Sequence, residues 1–376
     1  MILELYRLQR TKVGVKQQEA KNSKKEWYFC TMNQLTTSIR FPAEWELQSG
    51  IQLTWPHEKT DWSGMLDEVT PCFVSIATEI AKHEKVCIVC PDKETVIEQL
   101  GETGNHSNVS FHEILSNDTW ARDHAPISVF ENTLPTLFDF TFNGWGLQFT
   151  ANYDNLITRE LVEQQAFQKN VVYQNKLNFV LEGGSIESDG KGTLLTTARC
   201  LLSPNRNDGK TKDEIETYLK ETFGLNRILW LHHGYLAGDD TGSHIDTLAR
   251  FCDPKTIAYV KCDNPKDEHF EALFQMETEL KELQTMHGES YQLIPLPMAD
   301  PVYDNDERLP ATYANFLIIN DVVLVPTYHS SKDTLAMKQL QTAFPDRKMI
   351  GINCLPLIKQ HGSLHCVTMQ YPDKFL

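Results

Sequence analysis

Apolar residues along the chain recur at two different periods. Over Met65–Lys82 they fall at Leu66, Val69, Phe73, Ile76, Ala77 and Ile80, a three-and-four spacing that predicts an amphipathic helix. The same pattern predicts helices over Leu156–Phe167, Lys212–Phe223, Asp267–His287 and Asp333–Phe344. Short apolar runs bounded by turn residues separate them. Ile51–Trp55, Val86–Cys90, Asn178–Leu181, Ile228–Leu231, Ile245–Phe251, Thr256–Val260 and Leu364–Gln370 read as strands. Asn315–Pro326 holds two apolar runs around Asn320-Asp321, a hairpin signal. Strands alternating with helices predict an α/β fold. No low-complexity linker interrupts the pattern, so 32–376 is expected to form a single domain. Residues 1–31 carry Lys12, Lys16, Lys21, Lys24 and Lys25 without periodicity. They read as a flexible tail or as the product of an upstream start of translation.

Charge narrows the range of partners. The formal net charge is −16, which repels nucleic acid and anionic lipid heads and favours approach of a small cation. No apolar run is long enough to span a bilayer and no secretory core precedes the domain. Nine cysteines, an odd number and widely scattered, fit a reducing, cytoplasmic compartment. Cys87 and Cys90 form a CxxC, but within the apolar run of a predicted strand, so they read as core thiols.

Four local clusters could carry chemistry. Cys366 follows Gln360-His361-Gly362-Ser363, a loop at a predicted strand start, where a thiol is either core or a nucleophile facing a pocket. In Gly242-Ser243-His244-Ile245-Asp246, His244 and Asp246 are two apart and would share one face of a strand. They form either a satisfied pair or a catalytic one. Asn117–Pro126 crowds Asp118, Trp120, Arg122 and Asp123 into ten residues. It is a receptor for a planar cation or a polar loop with Arg122 as its internal brace. Leu181-Glu182-Gly183-Gly184 ends a strand in a carboxylate, and Asp189-Gly190 supplies a hairpin turn. Asp123, Glu182 and His244 are spaced by roughly 60 residues, and the gap to Cys366 is roughly twice that, a period that suits about five supersecondary units but from spacing alone equally an ordinary doubly wound sheet. A metal site built on His232, His233, His244 and His365 lacks any ligand spacing such as HExxH. A thiol, an imidazole and several carboxylates suit a guanidinium, which stays charged and accepts bidentate partners.

Trp120-Ala121-Arg122-Asp123, Glu182-Gly183-Gly184, Gly242-Ser243-His244-Ile245-Asp246 and His365-Cys366-Val367-Thr368 resemble the agmatine deiminase and bacterial-type peptidylarginine deiminase family. So do Phe41–Trp45, Trp55-Pro56-His57, Phe142–Gly146 and Tyr313–Phe316, and the likeness runs from about Phe41 to Pro372. The resemblance implies a five-bladed α/β propeller, the pentein fold of the guanidine-modifying superfamily, without cofactor or metal and often assembled as a homo-oligomer. It implies that Cys366 is the nucleophile, that His244 moves protons and that Glu182 orients His244. It also implies that Asp123 and Asp246 grip the guanidinium, with Trp120 and Asp240 at the substrate. Agmatine would give N-carbamoylputrescine and ammonia. A peptidyl-arginine substrate, or a non-catalytic guanidine-binding protein on the same scaffold, are the alternatives. The chain departs from the family where a run of glycines usually precedes the nucleophile: here it reads His361-Gly362-Ser363-Leu364-His365-Cys366.

Overall fold

The helix over Lys212–Phe223 shows how local sequence sets an element. Thr211 caps it and Glu214 reaches back to the cap, so two orphan backbone donors are satisfied together. Its buried face, Ile215, Leu219 and Phe223, lies three to four residues apart. Phe223 packs on Phe41, Phe138 and Phe140 with ring centroids 4.9 to 6.1 Å apart. Burying one such ring is worth about 2–3 kcal/mol. The computed structural model describes residues 38–105 and 107–376. The tail read over 1–31 lies outside the described residues.

Among the described residues the strands form six sheets, five of them with three or four strands and one a two-stranded ribbon. The five share one construction: two antiparallel neighbours, then a parallel third reached through a helix. Ile127–Glu131 pairs antiparallel with Leu134–Thr141, which pairs parallel with Val172–Val180 beyond the helix Asp154–Glu163. Ile186–Ser188, Thr193–Thr197 and Arg227–Leu231 repeat this around Lys212–Phe223. Ala249–Asp253, Thr256–Lys261 and Gln292–Pro297 repeat it around Phe270–Glu282. Leu317–Ile318, Val322–Thr327 and Lys348–Asn353 do so around Asp333–Ala343. In the remaining sheet the antiparallel partner of Gln48–Thr54 is the last strand, Thr368–Pro372, with Thr368 opposite Leu53. Lys85–Cys90 then follows in parallel after the helix Leu66–Ala81. Residues Ile39–Leu376 form one compact unit.

Two expected strands are corrected. Ile245–Phe251 is not one strand: Ile245–Thr247 is a single 3-10 turn, and the strand runs Ala249–Asp253. Likewise Leu364–Gln370 is a turn followed by a strand that starts at Thr368. Both segments are apolar because they are buried, and a short buried run has the same composition whether it is turn or strand. The helices expected over Leu156–Phe167 and Asp267–His287 are shorter, Asp154–Glu163 and Phe270–Glu282.

Candidate active site

Cys366 lies in the turn that feeds the last strand. Asn315 fixes that turn: its Oδ1 accepts from the His365 amide at 2.8 Å and the Cys366 amide at 3.3 Å, with Cys366 Sγ at 3.4 Å. The Arg122 amide donates to the Cys366 carbonyl at 3.1 Å. Arg122 also reaches Gln370 Oε1 at 2.6 Å, so it braces the strand that follows Cys366 and not its own loop.

The sulfur closes one end of a cavity of about 340 Å³, walled by Trp120, Trp145 and Phe149. Asp61, Asp118, Asp123, Asp240 and Glu307 also line it, and no lysine or arginine does. Gly362 packs flat on Trp120, and a Cβ there would fall inside the indole ring. Trp120 sits edge-on to Trp145 at 6.4 Å. Trp145 Nε1 in turn donates to Asp123 Oδ2 at 2.9 Å. Asp123 Oδ1 accepts from the Gly184 amide at 3.0 Å. Gly184 must lack a side chain, because a Cβ would stand 2.6 Å from His244 Nδ1. That close approach explains the glycine pair after Glu182.

His244 and Asp246 lie behind the lining, close to Asp123. They come from the turn before Ala249–Asp253 and not from one face of a strand, yet the 3-10 winding still brings both to Asp123. His244 Nδ1 is 3.7 Å from Asp123 Oδ1. Asp246 Oδ2 accepts from His365 Nδ1 at 2.7 Å. His244 Nε2 and Asp246 Oδ1 are buried with no partner. Buried polar atoms are rarely left so, except where a ligand completes them.

Glu182 does not hydrogen-bond His244. Both its oxygens receive Arg206 Nε at 2.9 Å, and Arg206 Nη2 holds the Thr241 carbonyl. Its effect on His244 therefore runs through a neutralised pair. A second network lies beside it. His365 Nε2 meets Glu44 Oε2 at 2.8 Å, Arg250 joins Glu44 at 2.6 Å, and Arg250 also pairs with Glu187. Glu182–Cys200–His244 and Glu44–Glu187–His365 are each close enough to share an ion. Their carboxylates are already taken by Arg206 and Arg250, so neither donor set fits a metal. His232 and His233 stand exposed beside Glu279, with His233 Nδ1 2.8 Å from its carboxylate.

Burial and like charge govern protonation. Burial, with Asp246 and Asp123 adding to it, pushes the Cys366 thiol well above its ordinary range. Burial, then Asp246 and Glu182, raises Asp123. Burial lifts Asp118 to about 7 and Asp240 to about 6. Burial drops His244 to about 3. At neutral pH the thiol and the imidazole are thus both uncharged, and the 3.7 Å approach of His244 to Asp123 is a contact, not an ion pair.

The sequence profile of the Porphyromonas-type peptidyl-arginine deiminases matches residues 40–372. The chain belongs to that family. It is accordingly a C–N hydrolase of linear amidino groups. A Vibrio parahaemolyticus protein named "Putative agmatine deiminase" is 34% identical over 351 residues, spanning 88% of this chain and 96% of its own. A Porphyromonas gingivalis structure named as a "Putative Arginine Deiminase" is 56% identical, with TM-score 0.86 over 90% of this chain and 99% of that one. The C. jejuni agmatine deiminase is 37% identical, with TM-score 0.80 over 89% and 97%. The fold shared with these deiminases is mixed α/β.

Of the sequence-derived candidates, Cys366, Trp120, Asp123 and Asp240 line one cavity. His244 and Asp246 adjoin Asp123 beneath it. Glu182 lies behind His244, on Arg206. Sequence reasoning gave no role to Glu44, Trp145, Arg206 or Asn315. Three of these sit in family-like segments (Phe41–Trp45, Phe142–Gly146 and Tyr313–Phe316), which was the available signal. Arg206 had none.

Proposed function

We propose that this deiminase hydrolyses agmatine to N-carbamoylputrescine and ammonia. The observation that carries the reading is the lining of the Cys366 cavity: five carboxylates and no arginine or lysine. A guanidinium with a distant ammonium finds partners at both ends of such a cavity. The α-carboxylate of free arginine would find only repulsion. The agmatine deiminases among its relatives support the same choice. Peptidyl-arginine, which also lacks a free carboxylate, is the second reading, favoured by the family's description.

In the proposed mechanism the guanidinium lies between Asp123 and Asp246, whose free Oδ1 is the open acceptor, with its stem along Trp120. The bound cation lowers the cost of a thiolate. Cys366 loses its proton to His244 and attacks the central carbon. His244 gives that proton to the departing nitrogen, which leaves as ammonia. It then takes a proton from water, which attacks the S-alkylthiouronium and releases the ureido product and the thiol. Glu182 and Arg206 hold the ring's surroundings. We further read the five sheets as blades about a pseudo-fivefold axis, supported by their common construction and by the closing pair of the first and last sheet strands. The eight described cysteines are all free, which supports a reducing compartment. No helix among the described residues is long and apolar enough to cross a membrane.

Ammonia release from agmatine, arginine and a blocked arginine peptide tests this. Agmatine should be turned over fastest. No release from any of the three would overturn the activity, and a preference for the peptide would overturn the substrate.

A further inference from the structure

One wall residue departs from the conformation expected of its type. His361 has φ +66°, in the left-handed region that a residue with a Cβ enters at a cost of about 1–2 kcal/mol. Strain of this kind persists only where the surroundings hold it, and it concentrates at ligand clamps. Here a side-chain hydrogen bond supplies that hold. His361 Nδ1 lies 2.8 Å from the Gly238 carbonyl. A carbonyl only accepts, so Nδ1 carries the proton. The bond ties the loop before the nucleophile to the loop that presents Asp240, across 123 residues of chain.

Both loops line the same cavity: Gln360, His361 and Gly362 from one, Asp240 and Thr241 from the other. Each is also anchored on its far side. Gln360 Nε2 donates to the Asp61 carbonyl at 3.2 Å, and the Asp240 carbonyl accepts from Gln148 at 2.8 Å. The imidazole is therefore the tie between two otherwise separately fixed walls. His361 is also the only lining residue that can carry positive charge, and its charge opposes the burial that raises Asp240.

We propose that His361 is a specificity-determining residue, a clasp that holds the cavity mouth narrow enough for a free alkylguanidine and too narrow for arginine within a peptide. This rests on the deiminase reading above and adds to it the element that selects substrate size. A cavity of about 340 Å³ is at the small end for ligand sites. A peptide must also bring two chain directions through the mouth, whereas an alkyl cation brings one. The clasp acts on the walls and not on the reacting carbon.

The test compares H361G and H361N with the unaltered chain on agmatine and on a blocked arginine peptide. H361G removes the clasp and the backbone strain together, so it should fold at least as well. Its KM for agmatine should rise more than its kcat falls, and the peptide-to-agmatine ratio of kcat/KM should rise by at least about tenfold. Asparagine tolerates the left-handed region and can donate to Gly238, so H361N should keep the original ratio. An unchanged ratio in H361G, or an equal rise in H361N, overturns the clasp. If the unaltered chain releases no ammonia from either compound, the deiminase reading fails instead. If H361G loses kcat with KM and ratio unchanged, His361 only supports the fold and the proposal is overturned.

Discussion

Two groups of buried carboxylates lie on either side of Cys366, and they are handled in opposite ways. Beneath the sulfur, Glu44 is shared by Arg250 and His365, and Glu182 is held by Arg206. Despite burial, Arg250 and His365 draw Glu44 below the ordinary carboxylate range, and the His365 bond does the same for Asp246, whereas at Glu182 burial outweighs Arg206. Around the cavity, Asp123 is buried and Asp118 and Asp240 are half-buried, none with a basic partner at bonding distance, and desolvation raises all three. A paired carboxylate is scaffold. An unpaired one is a cost that folding tolerates only because a ligand removes it. Under the proposed function, the difference marks where the guanidinium would sit.

The largest effect should come from the sulfur between the two regions. C366A should lower kcat on agmatine by at least about 10⁴-fold, while C87A, altering a thiol buried in a strand, should leave turnover of the folded protein intact. Equal losses would remove Cys366 from the chemistry.

Asp123 and Glu44 should then separate activity from stability. D123N should reduce kcat/KM by about 10²–10³-fold with an unchanged or higher Tm, since it removes an unpaired buried charge. E44Q should cost about 3–5 kcal/mol of stability, because Arg250 and His365 are left half-paired. Denaturant titration beside steady-state assay checks both, and a Tm loss in D123N as large as in E44Q would break the comparison.

R206Q probes the join between the regions. Arg206 lowers the proton affinity of His244, behind the larger effect of burial. Its removal takes that positive charge away from His244, so the His244 limb of the kcat–pH profile should move up by about one pH unit. An unmoved limb would mean that the pair is structural alone.

The smallest effect is in protons. Asp118 titrates at about 7 against an ordinary 3.8, so the native state keeps a proton that the unfolded chain has lost between those values. Stability should therefore fall as pH rises through that window. Glu44 and Asp246, shifted the other way, lose their contribution only as pH falls through their lowered values. Agmatine bound to C366A should ionise Asp118 and Asp240, releasing a fraction of a proton near pH 6. Calorimetry in buffers of differing ionisation enthalpy reads this, and net uptake would contradict the unpaired-acid account.

Much of the scaffold was legible because it is local. Lys212–Phe223 begins and ends where its apolar spacing predicts, and the Asn320-Asp321 hairpin joins Leu317–Ile318 to Val322–Thr327. The turns at Ile245–Thr247 and before Thr368 were misread as strand, since burial on all sides erases the alternation that marks a strand. Within the site, residue types were readable and partners were not.

The sequence alone determined the chemical inventory: a thiol, an imidazole and a set of carboxylates in motifs specific to one family, on elements set by short-range periodicity. Only the tertiary structure decided which carboxylates are neutralised. Glu44 finds Arg250 across 206 residues and His365 across 321, and Cys366 finds Asn315 across 51. Such pairings leave no periodic trace, because they depend on how whole sheets meet and not on any repeat along the chain. The same aspartate is scaffold or receptor according to whether an arginine happens to fold against it.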